Sequence, residues 1–247
     1  MIPTPRNGAH TQMLWLVLLG LPRLCPSATS FLGASMEGKM DRISGGYDAA
    51  TAHCTSPGEA YRIQAGQLRL YHHDHLVKVK LVVPHPKFTR SWSAEAGADI
   101  ALMKLQVPLR LSASINVVSL PNAGLRVKPR TLCWVTGWGF TKDGPLDHPY
   151  RLQEAAVPVV DKVVCEWHYQ DLFPNVTETL IKKDMVCAGN KDQDACQGDS
   201  GGPLVCYLTG NWVQVGIVSW GNICGQLSVP GVYTKVASYV SWIHQFL

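Results

Sequence analysis

Ser200 lies in the run Cys196-Gln197-Gly198-Asp199-Ser200-Gly201-Gly202-Pro203. A serine flanked by glycines can be held on a tight turn where backbone N–H groups converge on one point, the geometry an acyl-transfer nucleophile needs. Gly198 and Ser200 would supply the two amides of an oxyanion hole. A serine hydroxyl alone is a weak nucleophile, so the chemistry also needs an imidazole base and a carboxylate that orients it. Upstream residues of both types are present: His53 in Thr51-Ala52-His53-Cys54, and Asp99 at the head of Asp99-Ile100-Ala101-Leu102-Met103-Lys104-Leu105. In this reading Asp99 accepts the His53 Nδ1 hydrogen and so selects the tautomer that can take the Ser200 proton. The plainer reading of Asp99 is a strand-end cap or turn residue.

Around these residues stand motifs in a fixed order: DIALMKL from Asp99, CWVTGWG from Cys133 to Gly139, CQGDSGGP around Ser200, VSWG from Val218 to Gly221, and PGVYTKV from Pro230 to Val236. Together they make the chain resemble trypsin-like serine proteases of the chymotrypsin fold, with the nearest likeness to tryptases and implantation serine proteases. The resemblance runs from about Tyr61 to the C-terminus. It implies an all-β fold of two six-stranded-type β-barrels with a C-terminal helix, a secreted enzyme, and a triad of His53, Asp99 and Ser200. It also implies that Asp194, six residues before Ser200, lies at the base of the primary specificity pocket. Ser219, Gly221 and Gly231 are carried over with it as substrate-binding positions, the glycines as small walls that leave the pocket open. A buried carboxylate at the end of such a slot favours a Lys or Arg side chain, whose charge it pairs. The alternative for Asp194 is a surface charge on a loop.

Arg42-Ile43-Ser44-Gly45-Gly46 resembles the family's activation site. Cleavage after Arg42 would free the Ile43 ammonium to pair with Asp199, and that pair would order the oxyanion loops. Ser44 replaces an apolar residue, and a hydroxyl in an apolar pocket is costly unless paired. The other reading is an exposed polar turn rich in glycine.

The chain has 8 cysteines, many for a cytosolic protein, which suggests an oxidising compartment. Sequence alone does not give their pairing. The resemblance implies Cys133 with Cys206, Cys165 with Cys187, and Cys196 with Cys224. Cys25 then belongs to the leader and Cys54 is left over.

A composition of 46% hydrophobic and 16% charged residues describes an ordinary globular chain. The net charge of +4 falls to +2 from Ile43 onward, where 18 Lys and Arg face 16 Asp and Glu. No basic run or helix stands out, so nucleic acid has no support as a partner. His72, His73 and His75 lie beside Asp74, but no second ligand pair follows at diagnostic spacing, and a solvated loop is the reading preferred to a metal site. No metal or organic cofactor is expected.

Residues 13–21 form an apolar run too short to span a membrane and fit a secretory signal core, with a buried helix as the alternative. We place the signal peptide at about 1–30 and a propeptide at 31–42, with Met13 as an alternative start. The protease domain is 43–247, divided into a first lobe (43–121) and a second (131–247), with Pro121–Pro129 as linker. No second long apolar run follows, so no membrane span is expected in the mature chain. Tyr61, Ile63 and Ala65, and Val77 to Val83, alternate as strands do. Leu152–Val160 reads as a strand and Val163–Tyr169 as a short helix. Tyr239, Val240, Trp242, Ile243 and Phe246 recur at helical spacing as a packing stripe. Asn175-Val176-Thr177 is a glycosylation sequon.

One stretch departs from the family. Only ten steps separate Ile43 from His53. Relatives have roughly thirty more residues here, enough for several strands of the usual five or six. Reach is not limiting, since ten residues at about 3.4 Å each span some 34 Å. What goes missing is sheet, and with it the scaffold that fixes His53. Catalysis responds to misplacement of about 1 Å, so the expectation is a first barrel that is incomplete and an enzyme with little turnover. Expected partners are a polypeptide with Lys or Arg before the cleaved bond, and protease inhibitors; an oligomer stays open. The alternative is an inactive homologue or defective product that retains a peptide-binding lobe.

Overall fold

The structure, a computed structural model, describes residues 15–17, 61–71, 76–88, 94–141, 144–190, 195–196, 198–221 and 229–247. Among the described residues ten strands and two α-helices follow in order, besides two short 3-10 turns: β1 Trp15–Val17, β2 Arg62–Gln64, β3 Leu76–Pro84, β4 Ala101–Leu105, β5 Leu132–Gly137, β6 Gln153–Val160, α1 Lys162–Leu172, β7 Met185–Ala188, β8 Pro203–Leu208, β9 Asn211–Trp220, β10 Gly231–Lys235 and α2 Val240–Ile243. Six of the strands close into an antiparallel barrel of order β10-β7-β6-β5-β8-β9, and the other four form a sheet of order β1-β4-β3-β2. The fold is all-β, with a complete second barrel as expected. The first sheet has four strands among the described residues.

The barrel follows from alternation. On β5 and β6, Cys133, Val135, Val157 and Val159 point inward while their neighbours are more exposed, the period of two that a strand with one buried face requires. Cys133 pairs in register with Cys206 across β5 and β8, and the two form a disulfide. β9 breaks the alternation, being buried continuously from Val213 to Ser219. Val213, Val215 and Val218 fill the barrel, while Ile217 packs outward against Ile100, Leu102, Val236, Tyr239 and Ile243. Both faces of β9 are therefore covered, and this second core joins the barrel to the first sheet.

Two boundaries differ from the sequence reading. The strand expected from Asp99 starts at Ala101, because Gly97 and Ala98 have φ of 90° and 57° and the Ile100 amide turns back to the Ala98 carbonyl (2.9 Å). The helix expected at Val163–Tyr169 is longer, since the Asp161 carboxylate caps the Val163 amide (2.8 Å) and so starts it at Lys162. The Pro121–Pro129 stretch carries no strand or helix. Of the C-terminal stripe, Val240, Trp242 and Ile243 lie in the single turn α2, with Val240 and Ile243 buried, and Tyr239, which is also buried, stands just ahead of it.

Helix α1 is tied down by the Cys165–Cys187 disulfide and by Tyr169, whose hydroxyl donates to the Pro230 carbonyl (2.8 Å). Glu166, on the same helix, accepts from the Leu180 and Ile181 amides (2.9 and 2.7 Å) and from Gln170 Nε2 (2.9 Å). Burial alone would raise its pKa, but the Gln170, Leu180 and Ile181 donors, aided by Lys162, hold it below the ordinary value. Glu166→Ala should therefore cost about 2 kcal/mol in urea unfolding at neutral pH. A depressed acid loses its contribution as pH falls through the folded pKa, so the difference should shrink on acidification. An equal cost at all pH values would refute the role of the charge.

Candidate active site

The Ser200 turn is built from two ladders. Gly201 N–H donates to the Val218 carbonyl (2.8 Å) and Val218 N–H to the Gly202 carbonyl (2.9 Å), which staples the turn to β9. The Asp199 amide donates to Cys196 O (2.9 Å) and the Gly202 amide to Asp199 O (2.8 Å). Gly198 and Gly201, with φ of 94° and 84°, occupy the left-handed region that glycine tolerates, which explains the glycines on either side of Asp199-Ser200. Among the described residues, neither the Gly198 nor the Ser200 amide donates to a backbone acceptor.

Asp199 points away from this turn into a cradle made by the Cys133–Gly139 motif. A Cβ on Gly137 would come 1.9 Å from Asp199 Oδ1, and one on Gly139 would come 2.5 Å from its Cγ. Both glycines are thus required by the carboxylate. Asp199 accepts from the Gly139 amide (2.8 Å) and the Cys196 amide (3.0 Å). Burial nevertheless pushes its pKa up from 3.8 to about 6, because these two amides offset only part of the desolvation.

Asp99 is buried at 1% exposure between the first sheet and the barrel. Ser219 Oγ on β9 donates to Asp99 Oδ2 at 2.5 Å, and Thr234 Oγ1 on β10 donates to the Asp99 carbonyl at 2.6 Å. Just upstream, Asp184 Oδ2 accepts from the Ala98 amide (2.8 Å) and from the Tyr239 hydroxyl. The Asp184 carboxylate also lies where a Cβ on Gly97 would fall, 2.9 Å away. Burial, together with the bond and charge of Asp184, drives the Tyr239 pKa upward, so its hydroxyl stays a donor. Thr234 and Asp184 were not singled out by sequence, Tyr239 was read only as part of an apolar packing stripe, and Ser219 was placed only as a substrate-binding residue. An isolated acid before β7 carries no periodic signal that would have marked Asp184.

Of the positions that the resemblance assigns to substrate binding, Gly221 and Gly231 approach each other closely: a Cβ on Gly221 would meet Gly231 Cα at 3.3 Å and the Tyr169 hydroxyl at 3.1 Å. Cys196 is disulfide-bonded. Its expected partner Cys224 lies outside the described residues, as do Arg42, Ile43, Ser44, His53, Cys54, Asp194 and residues 72–75. Asn175 is exposed in the turn after α1. Among the described residues, no group of three potential metal ligands converges, and no helix is long and apolar enough to cross a membrane.

The Ser200 turn is stapled to β9 of a six-stranded barrel that also holds Asp99 through Ser219, and the trypsin family model matches residues 47–243. The chain belongs to the trypsin family of serine endopeptidases, whose substrates are polypeptides. Among curated proteins it is 43% identical over 202 residues to a tryptase of Mus musculus, covering 79% of this chain and 73% of that one.

Proposed function

We propose that this chain is a secreted peptidase that cleaves after Lys or Arg and turns over slowly. Ser200 attacks the carbonyl, His53 takes its proton and returns it to the leaving amine, and Asp99 orients His53. The Gly198 and Ser200 amides receive the oxyanion, and Asp194 pairs the basic side chain of the substrate. Arg42 is the activation cleavage point, and the freed Ile43 ammonium pairs with Asp199. Secretion is directed by residues 1–30.

The observation that carries this reading is the 2.5 Å bond from Ser219 to Asp99. It locks the carboxylate beside β9, the strand to which the Ser200 turn is also stapled. Low turnover rests on the ten steps from Ile43 to His53. The same observation favours a second reading, an inactive homologue that keeps a peptide-binding lobe.

Cleavage after Arg42, followed by assay on Lys, Arg and uncharged esters and by titration with an acylating inhibitor, tests the proposal. We expect hydrolysis restricted to the basic esters and abolished in Ser200→Ala. Its rate should be about a hundredfold or more below that of a variant with a family-like segment restored between Gly46 and His53. Fast stoichiometric turnover would refute the slow enzyme. Absence of labelling with retained binding of an amidine ligand would establish the second reading.

A further inference from the structure

The loop that leaves α1 sets one asparagine between two exposed apolar side chains. The Phe173 amide donates to the Tyr169 carbonyl at the end of α1 (3.0 Å), and the Val176 amide donates to the Phe173 carbonyl (2.9 Å), which closes a turn over Pro174 and Asn175. Proline suits the second position of such a turn, because its φ is already set. Beyond the turn the loop is tied back to α1, where Gln170 Nε2 donates to the Glu178 carbonyl (2.9 Å) and Glu166 takes the Leu180 and Ile181 amides. The backbone is thus held at both ends, and residues 173–179 are nonetheless all exposed. Phe173 is 47% and Val176 36% exposed, so the phenyl ring stands largely in water and contributes little to the core. A lone exposed apolar side chain needs no explanation. These two, however, flank Asn175 in Asn175-Val176-Thr177, the one Asn-x-Ser/Thr sequence in the chain.

We propose that Asn175 carries an N-linked glycan whose first N-acetylglucosamine packs on the Phe173 ring. The sequon supplies the acceptor amide, and the turn supplies a surface for the sugar. In the transfer, Asn175 Nδ2 forms a bond to C1 of the sugar while the C1–O bond to a lipid diphosphate donor breaks; the amide gives up one proton and the diphosphate leaves with the electron pair. A pyranose is amphipathic, with axial C–H groups along one face and hydroxyls that point to water. Those C–H groups carry slight positive charge and meet the negative face of an aromatic ring. The turn keeps residues 173 and 176 within about 7 Å of each other at Cα, so Phe173 lies within reach of a sugar on Asn175. Attachment in the cell rests on the secretory reading of residues 1–30; the contact between sugar and ring needs no catalytic activity and stands or falls separately from the peptidase reading.

Expression of the full chain in animal cells tests it, behind its own leader and behind a signal sequence from another secreted protein. Both forms should lose mass on treatment with a peptide N-glycosidase, which converts Asn175 to Asp, and Thr177→Ala should lose none. A glycan behind the foreign signal alone would reject the leader and keep the site, whereas no glycan on Asn175 behind either overturns the proposal. The midpoint of thermal unfolding then reads the contact. Removal of the whole glycan should lower Tm by about 2–4 °C, and trimming to a single N-acetylglucosamine should leave it within about 1 °C. In Phe173→Ala, whole removal should shift Tm by less than about 1 °C, and in Phe173→Trp the drop should return. The Asp left on removal is common to the three proteins and cancels. An equal drop in the parent and Phe173→Ala, or no drop in the parent, overturns the contact.

Discussion

Between about pH 4 and pH 7, the chain uncleaved at Arg42 should lose about 3 kcal/mol of stability relative to Asp199→Asn. The carboxyl of Asp199 titrates near 3.8 when solvated and near 6 in the folded protein, chiefly because it is buried. In that interval the folded state binds more protons than the unfolded state, so stability falls as pH rises and levels off once the folded group has ionised. The comparison with Asn isolates this group. Other groups slope the opposite way: His85, whose pKa burial and Lys87 lower against the pull of Asp184, destabilises the fold on acidification, as does Glu166. Asn can accept only one of the amides of Gly139 and Cys196, which adds a cost independent of pH and leaves the slope intact. A cation brought to Asp199 should abolish the slope, because an opposite charge lowers the pKa that burial raised. In the proposed activation that cation is the Ile43 ammonium. Urea unfolding of both proteins, before and after cleavage behind Arg42, reads the effect. A difference between parent and variant that stays flat from pH 4 to 7 in the uncleaved chain would refute the charge argument. The same slope before and after cleavage would refute the pairing with Ile43.

What could be read from sequence is what repeats or is locally unusual. The alternation in Leu152–Val160 survives where Val157 and Val159 are buried between more exposed neighbours, whereas that in Val77–Val83 breaks at a register shift after Val79, which leaves Leu81 exposed and packs Val82 on the core; the glycines around Ser200 are legible because only glycine suits their backbone. The disulfides of Cys133 with Cys206 and Cys165 with Cys187 came from the resemblance, and the structure contains both. β9 gave little alternation because it is covered on both faces, and the turn ahead of β4 shortened a strand that composition alone extends to Asp99. The pairing of β1 with β4 was hidden for a different reason. An apolar run at an N-terminus satisfies both a translocation signal and a strand, and only the partner decides between them. Residues that hold the site from a distance left no local mark: Ala98 meets Asp184 across 86 positions, and Ser219 meets Asp99 across 120.

Asp184→Ala should cost about 3 kcal/mol and loosen Asp99 without touching it. The substitution removes the acceptor of two donors, the Ala98 amide and the Tyr239 hydroxyl, in a region where Tyr239 is 7% and Ala98 8% exposed. Hydrogen bonds to a charged partner contribute about 1.5–3 kcal/mol each, and these two share one carboxylate, so the sum is an upper bound. The consequence extends further because Ala98 is held at φ 57°, a conformation that costs a non-glycine residue about 1–2 kcal/mol and persists only when its surroundings fix it. Released from Asp184, Ala98 relaxes toward ordinary φ and carries Asp99 away from Ser219. Tyr239→Phe removes one donor and leaves the Ala98 bond, so it should cost less, about 1.5 kcal/mol, and keep Asp99 in place. The packing of His85 against Tyr239 and Trp242, ring centroids 4.9 Å apart in both pairs, is common to the two variants and cancels between them. Urea unfolding gives the stabilities, and exchange of the Ala98 and Ile100 amides reports the turn. An Asp184→Ala protein within about 0.5 kcal/mol of the parent, with both amides as protected as before, would show that Asp99 is held in place without Asp184.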